Sequence, residues 1–211
     1  MPAKSFYDIY SRPQTQKKIV KDLCLDFSDE NNPKYFIQSE ISMIDFDALA
    51  KEVGSTFCSP DALELNDGIL HFIEFKNQDL SNVDIKNCQK KFYDGLSIFG
   101  ILSQNNGIIN DIQIQYTIVC NPEKNMINTK RSCKENPVFG TMQNNIKKSE
   151  GSLISDKEIA NYQRKKDGKL QNTKRLLLGL AKFGINVEIN ALLIQEEIDE
   201  FLSQFQNSAL T

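Results

Sequence analysis

The chain has 211 residues, 40% hydrophobic and 25% charged, with a formal net charge of −3. That length supports one core or one domain carrying an insertion, and no apolar run is long enough to cross a bilayer. The five cysteines lie far apart with no C-x-x-C, and His71 is the single histidine, which argues against a disulfide framework, a thiolate metal cage or paired-histidine zinc sites.

Pro13 opens a helix predicted over about Gln14 to Leu25, with Ile19, Leu23 and Phe27 on one side; DENNPK ends it. KYFIQSEI reads as a short strand. DFDALAKEV reads as a helix with Phe46, Leu49, Ala50 and Val53 on one face and Gly54 as its stop. A hairpin through Asp67-Gly68 follows, then a long amphipathic helix from about Val83 to Gln104 burying Ile85, Cys88, Phe92, Leu96, Phe99 and Leu102. DIQIQYTIVCN alternates as a strand.

From Glu123 to Ser152 the composition turns to Asn, Lys and Ser and reads as loop and short helix. Ser155-x-x-Glu158 is a capping box opening a basic helix, and NTKRLLLGLAKFG is a further helix stopped by Gly184. INVEINALLI is a closing strand, followed by a helix from Glu196 to Gln206 with Ile198, Phe201, Leu202 and Phe205 inward. The pattern predicts an α/β (α+β) fold: a mixed central β-sheet flanked by helices, in a single domain over 1–211 with a basic, largely helical insertion at about 123–184. The opening MPAKSFYDIY lacks the apolar stretch of a signal peptide, so a cytoplasmic protein with no membrane partner is expected.

Charge is unevenly spread. Lys124 to Lys182 holds 14 Lys or Arg against 5 Asp or Glu, a net of +9, whereas Met1 to Glu123 carries −7 and Phe183 to Thr211 −5. Taken singly, Arg164, Lys165, Lys166, Lys169, Lys174 and Arg175 read as a solvated face. Beside an acidic, cation-attracting site they read as a phosphate-binding surface.

That acidic site is expected in the hairpin. Along Ile69 to Lys76, Leu70, Phe72, Glu74 and Lys76 share one face, and Ile69, His71, Ile73 and Phe75 the other. Both faces begin apolar, so this is a central strand with two charges emerging at its C-terminal end. A two-residue type I′ turn at Asp67-Gly68 pairs Leu65 with Leu70, Leu63 with Phe72 and Asp61 with Glu74. Opposed Cβ atoms lie ~4.5–5.5 Å apart, and like charges there are destabilising unless compensated. A divalent cation such as Mg²⁺ or Mn²⁺ supplies that compensation. Lys76 is one step further on the same face, opposite Ser59. A three-residue loop would turn the faces over and separate the two acids. His71, on the opposite face, is expected to be a packing residue.

Pro60-Asp61, twelve intervening residues, then Glu74-Phe75-Lys76 on an apolar strand, followed by an amphipathic helix and another strand, resembles the PD-(D/E)xK nuclease superfamily over roughly Phe46 to Cys120. The resemblance implies a restriction-endonuclease-like core in which Asp61 and Glu74 bind the metal, the Phe75 carbonyl contributes a ligand, and Lys76 positions or activates the attacking water. Gln89-Lys90-Lys91-Phe92-Tyr93 is similar to the Q-x-x-x-Y element of the RecB-like exonuclease branch, implying nucleic-acid contact by Gln89 and Tyr93; both flank the buried stripe of their helix, which suits packing equally. Asp84-Ile85-Lys86 and Asp167-Gly168-Lys169 also fit the triplet but lie on no apolar strand. The family has three strands after its first helix, whereas two are read between Val53 and Val83. A helix-borne third acid is open among Glu40, Asp45, Asp47 and Glu52. The expected function is metal-dependent phosphodiester hydrolysis of nucleic acid, with DNA favoured and a homodimer left open. The alternative is an inactive nuclease fold serving as a nucleic-acid-binding or interaction/immunity module.

Overall fold

Both apolar sets of Ile69–Lys76 are buried, because the strand they form lies inside a six-stranded sheet covered on its two faces. The structure, a computed structural model, describes residues 9, 11, 16–26, 34–54, 56–102, 113–125, 160, 161, 164, 166–171 and 185–206. In chain order these carry β1 (Lys17–Ile19), α1 (Val20–Leu23), β2 (Leu25–Asp26), β3 (Lys34–Tyr35), β4 (Ser42–Asp45) and α2 (Phe46–Val53). The hairpin β5 (Ala62–Asn66) and β6 (Ile69–Lys76) follows, then a 3₁₀ turn (Leu80–Asn82) and α3 (Ile85–Leu102). The remainder comprises β7 (Gln113–Cys120), α4 (Pro122–Asn125), β8 (Asn186–Leu192) and α5 (Gln195–Ser203), with residues 166–171 also helical.

The sheet runs β1-β4-β5-β6-β7-β8, antiparallel from β1 to β6 and parallel from β6 to β8. Helix α3 is the crossover that parallel neighbours β6 and β7 require. The expected mixed sheet flanked by helices is therefore present. On one face α2 and α3 set Phe46, Leu49, Phe92, Leu96 and Phe99 against Leu63, Leu70, Phe72 and Tyr116. Phe72 stacks on Phe46 at 5.5 Å and meets Phe92 edge-on at 5.9 Å. On the other face Val20, Cys24, Ile198, Phe201, Leu202 and Phe205 cover Met43, Ala62, Ile73, Phe75 and Val119.

Turn chemistry fixes the hairpin. Asp67 (φ 48°) and Gly68 (φ 77°) both take the left-handed conformation of a type I′ turn, and the ladder pairs Asn66 with Ile69, Leu65 with Leu70 and Leu63 with Phe72, as expected. Asp45 caps α2 by accepting from the Ala48 N–H at 3.0 Å, and the Gly54 N–H closes it on the Ala50 carbonyl.

Three expectations are corrected. The helix predicted over about Gln14 to Leu25 is helical only at Val20–Leu23; Lys17–Ile19 instead pairs with Ser42–Ile44 as an edge strand, a tertiary partner that the local pattern does not contain. KYFIQSEI contributes only Lys34–Tyr35, and the sheet strand is the next segment, Ser42–Asp45. Its Met43 and Ile44 enter the cores on opposite faces, so no hydrophobic alternation announces it. Ile85, expected in the buried stripe, is only partly buried at the start of α3. Two strands do lie between Val53 and Val83, and β4 supplies a third antiparallel strand before α2 rather than after it. The capping box Ser155–Glu158 and the NTKRLLLGLAKFG helix lie outside the described residues, as does most of the expected insertion at 123–184. Among the described residues no helix is long and apolar enough to cross a membrane.

Candidate active site

The β5–β6 ladder ends at Ala62 with Ile73, and β6 runs on beside β7 for three residues, Glu74, Phe75 and Lys76. Asp61 therefore stands at the place where β5 stops. Its Oδ2 accepts from the Phe75 N–H at 2.6 Å, taking over from the missing backbone partner, while its carbonyl accepts from the Phe46 N–H at 3.2 Å. Helix α3 packs against this corner through Gly95, where a Cβ would come within 2.9 Å of Pro60 Cδ and 3.2 Å of Phe46 Cε1. Asp94 ties the same helix to the preceding residues by accepting from the Cys58 N–H at 2.9 Å. Pro60 thus serves as the plate on which α3 rests, immediately before the acid.

Glu74 follows Phe72 by two residues and so points beneath α3, where it has no solvent exposure. Lys76 Nζ lies 2.6 Å from its Oε1. Lys91, from α3, lies 2.8 Å from the same oxygen and 3.0 Å from Oε2, and its Nζ also reaches Asp61 Oδ1 at 3.1 Å. The expected ladder pair of Asp61 with Glu74 is not formed, because the ladder stops one residue short at Ala62 with Ile73; the two carboxylates instead share one cation, the Lys91 ammonium. Two acids and two lysines leave the group formally neutral.

Burial, and then the Glu74 charge, push Asp61 up to about 7 against the pull of Lys91 and the Phe75 N–H. For Lys91 burial opposes the charged form, but Glu74 and Asp61 outweigh it and hold the ammonium above the ordinary lysine range. Lys76 behaves likewise: burial works against its charge and Glu74 raises it. Tyr116 on β7, fully buried, brings its hydroxyl to the same group. That hydroxyl makes no hydrogen bond of ordinary geometry and has the Cys88 thiol as a neighbour; burial and Glu74 raise its ionisation well above the usual range. Burial and Glu74 also push the Cys88 thiol up to about 11.

Lys91, Tyr116 and Cys88 were not among the expected site residues. A signal for Lys91 exists in the sequence. It stands three residues after Cys88 and four before Gly95, on the buried side of its helix, and a lysine there requires an acid to face it. Tyr116 carries no such mark, since a tyrosine in an apolar strand reads as packing.

The other expected residues fall as follows. Phe75 packs its ring on the opposite face with Ala62, Ile73 and Val119. His71 also lies on that face, its ring edge-on to Phe201 at 5.9 Å and Phe205 at 5.1 Å, in the packing role expected. Gln89 is half-buried on α3, and Tyr93 is exposed with its ring against Phe92 at 5.8 Å. Ser59 does not pair with Lys76; it is buried and donates to Asp47. Asp45 caps α2 and pairs with Lys18 at 2.5 Å, whereas Glu40 and Glu52 are exposed. None of the four candidate third acids joins Asp61 and Glu74, and the described residues contain no group of three or more His, Cys, Asp or Glu able to hold a metal. Asp61 and Glu74 are the two carboxylates at this position, a number that suits Mg²⁺, which keeps several waters.

Of the basic residues, Lys169 donates to the Ser81 carbonyl at 3.0 Å and Lys124 to the Asn77 carbonyl at 2.6 Å, so both reach the loop that follows Lys76. Lys166 pairs with Glu197 at 3.0 Å, and Arg164 is exposed. Lys165, Lys174 and Arg175 lie outside the described residues. The two rival triplets are not strand-borne: Asp84 accepts from the Lys86 and Asn87 N–H groups at the start of α3, and Asp167 belongs to a helical segment.

The chain matches no protein-family model, no curated protein and no solved structure.

Proposed function

We propose that the chain is a metal-dependent nuclease that hydrolyses phosphodiester bonds, with DNA the favoured substrate and Mg²⁺ or Mn²⁺ as cofactor. The observation that carries the reading is the convergence of Asp61 and Glu74 on a single cation position, with Lys76 2.6 Å from Glu74. The resemblance to PD-(D/E)xK nucleases over Pro60-Asp61 and Glu74-Phe75-Lys76 points the same way.

In this reading Asp61 and Glu74 hold the metal, and Asp61 also fixes the backbone of Phe75, whose carbonyl is the further ligand implied by the resemblance. A bound divalent ion supplies Lewis acidity and lowers the pKa of water. Lys76 orients the attacking water and offsets charge gathering on the phosphate. Lys124 and Lys169 bring positive charge to the loop after β6, where a phosphate backbone would be drawn without regard to sequence.

The test is cleavage of labelled single- and double-stranded DNA and RNA in Mg²⁺, Mn²⁺ or EDTA, with Glu74→Gln and Lys76→Ala alongside. Cutting is expected only with metal, and about 100-fold or more slowly in either variant. The same background cutting by wild type and variants ends the enzyme reading. One observation favours a second reading, a nuclease fold that binds nucleic acid or a protein partner without turnover: Lys91 already pairs with both acids, and with Lys76 it leaves the group neutral. Retention of DNA or RNA with no cleavage in any metal would select it.

A further inference from the structure

We propose that Lys91 is a built-in occupant of the cation position and that a divalent metal binds by displacing it. This rests on the metal-site reading above. Lys91 Nζ is the cation common to both acids, 3.1 Å from Asp61 and 2.8 Å from Glu74, whereas Lys76 pairs with Glu74. A metal between those carboxylates takes the place where the ammonium now sits.

Charge gives the same answer. Asp61, Glu74, Lys76 and Lys91 sum to zero, so a divalent ion added to the intact group leaves an excess of two positive charges in a poorly solvated place. With Lys91 gone, the acids, Lys76 and the ion leave one excess positive charge, which a single phosphodiester neutralises. Displacement therefore couples metal binding to the arrival of substrate phosphate, and the released ammonium is free to meet that phosphate.

Burial shows which way the lysine leaves. Glu74 is closed to solvent, but the Asp61 and Lys91 side chains each keep 18% of their surface exposed. The ammonium can swing outward on its flexible stem while Phe92 and Gly95 keep α3 seated.

The experiment compares full-length wild type with Lys91→Met and Lys76→Met by calorimetric titration with Mn²⁺ and by thermal unfolding in EDTA and in Mn²⁺. Lys91→Met is expected to melt below wild type in EDTA, to bind Mn²⁺ about ten-fold or more tightly, and to show the larger Mn²⁺-induced rise in Tm. Lys76→Met is expected to show the smaller gain in affinity. Should Lys91→Met fail to fold, wild type alone decides: reductive methylation read by mass spectrometry should label Lys91 several-fold faster once Mn²⁺ is bound. Wild type that binds Mn²⁺ as tightly as Lys91→Met, or with unchanged Lys91 labelling, overturns displacement and leaves the metal site standing. Absence of Mn²⁺ binding by both proteins removes the metal reading and displacement with it.

Discussion

At Glu74 a carboxylate without solvent contact lies between Lys76 at 2.6 Å and Lys91 at 2.8 Å. Such a group is asymmetric under mutation, because its members are differently replaceable. Removing Glu74 takes away the one acid that faces Lys76 among the described residues and half of the charge facing Lys91, leaving two like charges crowded together. Removing Lys76 leaves Glu74 still paired with Lys91. Glu74→Ala is therefore expected to cost about 3–5 kcal/mol, the range for breaking a buried ion pair. Lys76→Met is expected to cost about 1–2 kcal/mol, nearer to one charged hydrogen bond. Urea unfolding at unchanged m reads both values. A larger loss for Lys76→Met than for Glu74→Ala would contradict a site organised around the carboxylate.

Helix α3 carries Lys91 to the strands, and its approach is set by Gly95. Alanine there favours the helix by about 1 kcal/mol, but the new methyl group meets Pro60 Cδ at 2.9 Å, in a ring that is part of the backbone and cannot rotate away. Gly95→Ala is expected to lower stability by a net of about 1–2 kcal/mol in urea unfolding; a stabilised variant would mean that α3 has room to spare. The elements differ in how far their sequences declare them. The β5–β6 hairpin was legible because Asp67-Gly68 sets the register by its own backbone preference, and with it the shared face of Leu63, Phe72 and Glu74. Gln195–Ser203 was legible from the spacing of Ile198, Phe201 and Leu202. β1 was not, since Lys17 and Lys18 on an exposed edge look like the polar face of a helix until β4 is there to pair with them. The same holds for the site. Asp61, Glu74 and Lys76 follow from one hairpin, whereas Lys91 and Tyr116 reach it from α3 and β7, through docking that no local period encodes.

On the scale of the whole molecule, the face opposite the acid site carries a second pair of buried titratable groups, with consequences for stability against pH. Glu64 and His71 are direct partners in the β5–β6 ladder, 4% and 2% exposed. Burial pushes Glu64 up to about 7, against the pull of Lys17 on β1 and the Ile44 N–H at 3.3 Å. Burial drives His71 down to about 4, opposed by Asp67 in the turn. From the ordinary glutamate value of 4.5 up to about 7, folded Glu64 keeps a proton that the unfolded chain has lost, so its contribution falls as pH rises. From about 4 up to 6.5 the unfolded chain carries a His71 proton that the folded chain lacks, so that contribution rises with pH. The windows overlap between pH 4.5 and 6.5, where the two slopes oppose each other. Glu64→Gln leaves the histidine slope uncovered: unfolding free energy should climb with pH, relative to wild type, by up to about 1.4 kcal/mol per pH unit. His71→Gln should tilt the profile the other way by a similar amount, and the double variant should run parallel to wild type. Urea unfolding at half-unit steps across this window measures the slopes. If Glu64→Gln merely shifts the curve without changing its tilt, the glutamate is already ionised inside the fold and burial does not govern its proton.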